Sequence, residues 1–505
     1  MRSFFKTVAI VTVFSLSEKF LGFLYRIYLS RTIGAEGIGL YQVALSVFAL
    51  LFTICCSGTP ITVSRLMTKY KAQNDQTRVY KIITAGLCLT LLLSIPVCVL
   101  AILFGQNLSF LFADERCVNI FKIIMPGLIF TSVYAVLRGV FWGNKDFLPY
   151  SIIELLEEIC MIVSGIILIS FASDVYQGAF RAGVAVLISY IFSFSLATAV
   201  FFIRKNKLKN PKSEFKPLLS SSIPITAMRT ANSLANSLIS VILPIRLISA
   251  GYTNSQAMSA FGATVGQAIP LLCTPTSLIS SFTLVLVPEI SENYYRKKYN
   301  SLKTDIEKAL KFTVFLTCIF IPVFTVCGSE IGITVFGGHE CGSYLSASAF
   351  MMLFMSLSAI TTSMLNSMGK ENKTLIFYII SEAFMLLAVL ILPKFCGIFS
   401  LLIGYTFIYG ITTVLNLILL GKCCPQKPEY IKFTLISVLL CIPTAIIGFM
   451  IEKLIIANLG IFFTLIICSI IMCVFHFGLY LGFGLISVNF IKGKFKAHSP
   501  RLKKA

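Results

Sequence analysis

The sequence predicts an all-α membrane protein. Fourteen transmembrane helices are expected, as two six-helix lobes related by a pseudo-twofold axis along the membrane normal, plus two C-terminal helices. Three observations carry this. Of 505 residues, 57% are hydrophobic and 12% charged, with a mean hydropathy of +0.89; a soluble chain of this size needs about 25% charged residues to cover its surface. Apolar runs long enough to cross a bilayer recur along the whole length. Features of the first half also reappear in the second.

In order, the expected spans are 4–29, 40–68, 82–104, 118–141, 149–172, 180–203, 218–248, 259–288, 306–328, 343–368, 374–393, 397–420, 433–451 and 459–487. Arg2 and Lys6 before the first run resemble a signal peptide, but no small-residue cleavage site follows and the run continues to Leu29, so an uncleaved helix is expected. The net charge of +21 could suggest a nucleic-acid partner. The basic residues instead sit in short clusters between apolar runs, which argues for membrane topology and no nucleic acid. One side of the expected membrane carries 28 Lys and Arg and the other 5, placing both termini in the cytoplasm. The 16 cysteines include no Cys-x-x-Cys pair and the three histidines do not cluster, so no metal site is expected.

The linker Arg204–Pro217 follows six spans and divides the lobes, expected at 1–203 and 218–420, with two extra helices at 421–487 and a basic cytoplasmic tail at 488–505. An internal repeat supports the division. Gly34 to Gly58-Thr59-Pro60 in the first pair of spans matches Gly251 to Cys273-Thr274-Pro275 in the seventh and eighth. Glu154 and Glu157 in the fifth span match Glu382 in the eleventh.

The first span holds Glu18, Lys19 and Arg26. At about 1.5 Å per residue Lys19 lies roughly 22 Å along the helix, where an uncompensated charge costs about 3 kcal/mol or more. A cationic donor there suits a phosphate anion; Arg26 is placed either beside it or snorkelling to the outer interface. In the seventh span Arg229, Asn232, Ser233, Asn236, Ser237 and Ser240 form one polar stripe, and polar side chains of the seventh and eighth spans, Gln267 among them, are expected to line the sugar path. Lys19, Arg26, Arg229, Asn232, Asn236 and Gln267 are therefore the candidate substrate-binding residues. Glu154, Glu157 and Glu158 share a face of the fifth span and would repel one another. They are read, with Glu18, either as a proton- or sodium-linked site or as ion pairs with Arg138 or Lys145. Beyond such an ion no cofactor is expected, and no catalytic residue.

The runs Lys19-Phe20-Leu21-Gly22-Phe23-Leu24-Tyr25-Arg26, Gly34-Ala35-Glu36-Gly37-Ile38-Gly39-Leu40-Tyr41-Gln42 and Gly58-Thr59-Pro60-Ile61-Thr62-Val63-Ser64-Arg65 resemble the stage V sporulation protein B branch of the polysaccharide transporters. That branch lies within the multidrug/oligosaccharidyl-lipid/polysaccharide exporter superfamily. The resemblance implies a flippase of the bacterial plasma membrane that moves a polyprenyl-pyrophosphate-linked saccharide, such as a peptidoglycan precursor, by alternating access. It also implies membrane lipids and cell-wall or spore-envelope synthesis enzymes as partners; a monomer is expected. Where the branch carries a Gln/Glu/Gln series followed by a base, this chain has Glu154, Glu157 and Glu158 with Met161 at the basic position. The runner-up is a cation-coupled multidrug exporter of the same architecture. A membrane transferase acting on the same lipids would need a large external loop, and none is present.

Overall fold

The computed structural model describes residues 2–105, 112–426 and 428–485, with side chains from Val13 onward except at 232, 280–282, 284–285, 287–288 and 455–459. The basic tail falls outside the described residues. In chain order the helices are α1 (Arg2–Cys56), α2 (Thr59–Ala72), α3 (Gln76–Leu103), α4 (Glu115–Ile124), α5 (Gly127–Gly143), α6 (Phe147–Ile169), α7 (Val175–Ile203), α8 (Phe215–Ser249) and α9 (Asn254–Phe261). A π-helical turn, Gly262–Ala268, leads into α10 (Ile269–Leu272) and α11 (Thr274–Tyr295). Then come α12 (Tyr299–Val326), α13 (Gly328–Ile331), α14 (His339–Ser348), α15 (Met351–Ser367), α16 (Glu371–Ile391), α17 (Pro393–Cys396), α18 (Ser400–Cys423) and α19 (Ile431–Gly482). Among the described residues the regular structure is all helical.

Among the described residues ten helices are long and apolar enough to cross a membrane, or up to twelve if each of two bent pairs is one span. The bent pairs are Glu115–Ile124 with Gly127–Gly143, at 47°, and His339–Ser348 with Met351–Ser367, at 61°. Large apolar side chains such as Leu92, Leu103, Leu439 and Val474 are more than half exposed. An outward apolar belt of this kind needs hydrocarbon as its solvent.

Local sequence explains the boundaries. The loop expected between the first two spans shrinks to one residue: two helical segments of α1 meet at Gly34, whose backbone is not helical (φ 66°, ψ −178°). A side chain there would be strained, so glycine turns the chain in one residue. The second expected span is instead interrupted at Ser57-Gly58 and resumes as α2. A second glycine bend, at Gly460, separates the last two spans. Asp75, Asp114 and Asp174 cap α3, α4 and α7, and Thr253 with Gln256 forms a capping box on α9; each satisfies amides that have no partner within the helix. Pro60, Pro270 and Pro275 occupy first turns, where no backbone donor is lost, and Pro244 lies inside α8.

The chain forms two compact units. The first takes the described residues up to Gln267 together with Val389–Ile398, and the second takes Ala268–Ala388 and the described residues from Phe399. In the first, Val63, Met67, Ile82, Val136 and Phe141 centre a core shared by α2, α3 and α5. In the second, α12 packs along α19, and α15 along α11 and α18.

Candidate functional site

Inside the first unit lies a cavity of about 210 Å³, lined among others by Glu18, Tyr134, Arg138, Glu154, Glu157 and Glu158. Its acids come mainly from α6, where positions i, i+3 and i+4 share a face. Glu18 joins them from α1. The two helices meet closely because Gly22 has no side chain: Glu158 Oε1 lies 2.9 Å from where a Cβ would sit. Among the described residues Arg138 of α5 is the one base in the lining. Its Nη1 is 3.1 Å from Glu154 Oε1, and its guanidinium lies 5.2 Å from the Trp142 ring centre. Arg138 Nε and the Tyr134 hydroxyl are buried without a hydrogen-bond partner. Four carboxylates thus face one guanidinium, and among the described residues no ion pair reaches Glu18, Glu157 or Glu158. Carboxylates gathered in such a space repel one another more strongly than they would in water.

The ion pair that the sequence offers for these acids is therefore made once, by Arg138 with Glu154, and Lys145 takes no part in the cavity.

The candidate substrate-binding residues divide into two groups. Lys19 and Arg229 are exposed, on α1 and α8, and neither makes an ion pair among the described residues. Asn236 is exposed two turns beyond Arg229, and the side chain of Asn232 lies outside those described. The serines of the same stripe pack instead: Ser237 is buried and donates to the Ser46 carbonyl at 2.7 Å, and Ser240 donates back to the Asn236 carbonyl. A stripe that reads as one face in sequence is half packing surface and half exposed.

Arg26 and Gln267 form the second group, a seam between α1 and the π-helical turn. Arg26 Nη1 donates to the Gly266 carbonyl at 2.9 Å, and Gln267 Nε2 donates to Ser30 Oγ at 2.7 Å. Gln267 is 3% exposed. The same seam is closed by Gly39 against Gly262, where a Cβ on Gly262 would overlap the Ala35 carbonyl oxygen and lie 2.6 Å from the Gly39 nitrogen. Ser30 and Gly262 escape sequence reasoning because neither carries charge nor breaks the apolar pattern. Beyond them, Arg116 ties Asp114 to Glu36, two residues past the Gly34 bend, with 2.7 Å contacts to both acids.

Long apolar helices around an acidic internal cavity define a multi-pass membrane protein of the transporter class. Known structures agree in fold: the lipid II flippase MurJ in an inward closed conformation covers 95% of this chain and 100% of that one, with TM-score 0.70 and 16% identity. A multidrug resistance MATE family transporter of the MOP superfamily, inward-facing, covers 80% and 95%, with TM-score 0.66 and 14% identity. The chain belongs to the polysaccharide biosynthesis protein family, whose pattern matches residues 4–294. Relatives include stage V sporulation protein B of Bacillus subtilis (strain 168), 26% identical over 366 residues, 70% of this chain and 71% of that protein. The lipid II flippase MurJ of the same organism is 22% identical over 408 residues, 74% of each chain.

Proposed function

We infer that this protein is a flippase that carries a polyprenyl-pyrophosphate-linked saccharide, of the peptidoglycan-precursor class, from the inner to the outer leaflet by alternating access. The observation that carries this reading is the unpaired pair of bases, Lys19 and Arg229, on helices that otherwise read as hydrocarbon-spanning. A charge in that setting is retained where an anion comes to it, and a pyrophosphate supplies one. Asn232 and Asn236 extend the polar path towards the sugar. Arg26 and Gln267 close the outer end of that path, and both belong to the substrate-binding set in this reading. Fourteen crossings in two six-helix lobes, at 1–203 and 218–420, with two helices at 421–487 and both termini cytoplasmic, complete the topology. The protein acts as a monomer in the bacterial plasma membrane, beside enzymes of cell-wall or spore-envelope synthesis, and its basic tail rests on the anionic inner leaflet.

Glu18, Glu154, Glu157 and Glu158 form the coupling site, taking up a proton or sodium ion during the cycle. The cation-coupled multidrug exporter is the second reading, and the carboxylate-lined cavity is the observation in its favour. Relatives named for lipid II and sporulation weigh on the other side. The two readings separate in proteoliposomes loaded with a fluorescent polyprenyl-pyrophosphate-disaccharide. Wild-type protein exposes the label to an impermeant quencher, and Lys19→Ala or Arg229→Ala slows this at least tenfold. Unchanged translocation in folded variants removes both residues from the site. Efflux of organic cations without lipid movement establishes the exporter.

A further inference from the structure

We propose that the linker between the two expected halves ends in a latch, Glu214, which holds the foot of α8 against α2 and α3 and lets go when that seam opens. Glu214 closes the short 3₁₀ turn Lys212–Glu214, immediately before α8 begins at Phe215. It is only 3% exposed, although acids are rarely buried unless paired. Its Oε2 accepts from the Tyr70 hydroxyl of α2 at 2.5 Å, and its Oε1 lies 3.8 Å from Arg78 Nε of α3. The Arg78 guanidinium in turn lies 5.7 Å from the Tyr70 ring centre. One carboxylate thus joins three segments at a single point.

The rest of the linker leads the chain to this point. Asn206 Nδ2 donates to the Phe201 carbonyl at 3.0 Å, and Arg204 pairs with Asp146. The Lys209 backbone N–H donates to Thr84 Oγ1 at 3.1 Å, and Lys209 Nζ donates to Thr77 Oγ1 at 3.3 Å. So the linker lies along α3.

Above the latch the same seam is shut twice more. Arg65 Nη2 donates to Ser221 Oγ at 2.9 Å, and the Gly58 N–H donates to Thr226 Oγ1 at 3.2 Å. A side chain at Gly58 would overlap the Ser222 carbonyl, so backbone meets backbone there. Leu218, one turn after Glu214, is fully buried in the core that includes Tyr70 and Val79.

The chemistry suits release. When an apolar plug opens, it exposes hydrocarbon to water, whereas a released carboxylate regains its hydration at a polar surface, which offsets most of the contact it gives up. A charged latch at the linker end therefore closes the seam without locking it. This inference rests on the alternating-access reading, but its test needs no substrate.

A Ser222→Cys reporter is placed in the full chain in lipid nanodiscs, and maleimide labelling is followed at peptide level, so that native cysteines are resolved separately. Ser222 is 3% exposed, and Cys117, fully buried in α4, serves as the fold control. Tyr70→Phe removes one charge-assisted hydrogen bond and raises labelling at 222 about tenfold, with Cys117 unchanged. Arg78→Gln, which acts on a half-exposed contact, raises it about twofold. No change at 222 in either variant overturns the latch. An equal rise at Cys117 also overturns it, since Glu214 would then support the fold and not one seam. Loss of translocation with labelling unchanged counts against the latch and leaves the proposed function standing.

Discussion

Replacing Arg138 with Gln removes the one base that lines the acidic cavity among the described residues. The cost follows from geometry. An exposed ion pair is worth about 0.2–1 kcal/mol, and breaking a fully buried one costs about 3–5 kcal/mol. Arg138 and Glu154 are 27% and 17% exposed, so the loss falls between these limits, at about 2 kcal/mol. Unfolding entropy of about 2.1 cal/mol/K per residue makes the shift about 1 °C per kcal/mol for 505 residues, so the unfolding midpoint drops by about 2 °C. The chain supplies its own probe: its single tryptophan, Trp142, lies beside the Arg138 guanidinium. Thermal melts followed by its fluorescence in nanodiscs give the midpoint. Arg138→Gln with Glu154→Gln removes both charges and recovers at least half of the loss, because no unpaired carboxylate is left behind. Equal midpoints for the single and double variants would refute the ion pair as the source of the effect.

Two other perturbations probe neighbouring parts of the first unit. Gly262→Ala drives a methyl group into the Ala35 carbonyl; overpacking of this kind costs about 1–3 kcal/mol, so amides of the Gly262–Ala268 turn should exchange with solvent about tenfold faster, and unchanged exchange would mean that the seam is not tight. Glu157→Gln with Glu158→Gln should make lipid translocation indifferent to imposed sodium and proton gradients while leaving gradient-free exchange intact; a gradient response equal to wild type would remove these acids from coupling.

Hydrophobicity made the helices legible in the sequence, but the ends capped by Asp75, Asp174 and Thr253 lie five to six residues before the apolar runs expected from 82, 180 and 259, because a first turn of polar residues carries no hydrophobic signal. An ion pair between the acids of α6 and Arg138 or Lys145 was one of two readings open in the sequence, and the structure shows which partners meet, Arg138 and Glu154. The α1 bend was legible in position but not in form: a glycine-rich stretch reads as a loop, and only the dihedral of Gly34 shows that one residue suffices. Contacts that depend on absent atoms were not legible. Gly39 against Gly262 and Gly58 against Ser222 pack through missing side chains, and helical periodicity says nothing about which glycines approach a neighbour. The serine stripe of α8 misled for a related reason. A hydroxyl satisfies itself on a backbone carbonyl, as Ser237 does on Ser46, and can then pack as a small apolar residue would.

The placement of charge on α1 links the two proposed activities. Glu18 faces the acidic cavity, and Lys19, about 100° further round, is exposed outside it. Two turns on, Arg26 holds the Gly266 carbonyl, and the helix then bends at Gly34. A cation entering the cavity reduces repulsion between Glu18 and the acids of α6, which favours α1 lying close to α6 at Gly22. In the proposed cycle an anion at Lys19 would act on the same helix from a face about 100° away. In that cycle both ligands would therefore act on the same segment, between the cavity and the bend. Coupling between ion and lipid then needs no chain of intermediaries, because a single helix carries both charges. Gly22→Leu tests this: the larger side chain holds α1 away from Glu158, so lipid translocation should lose its response to an imposed gradient while Lys19 remains in place. A retained response would mean that the two sites communicate by another route.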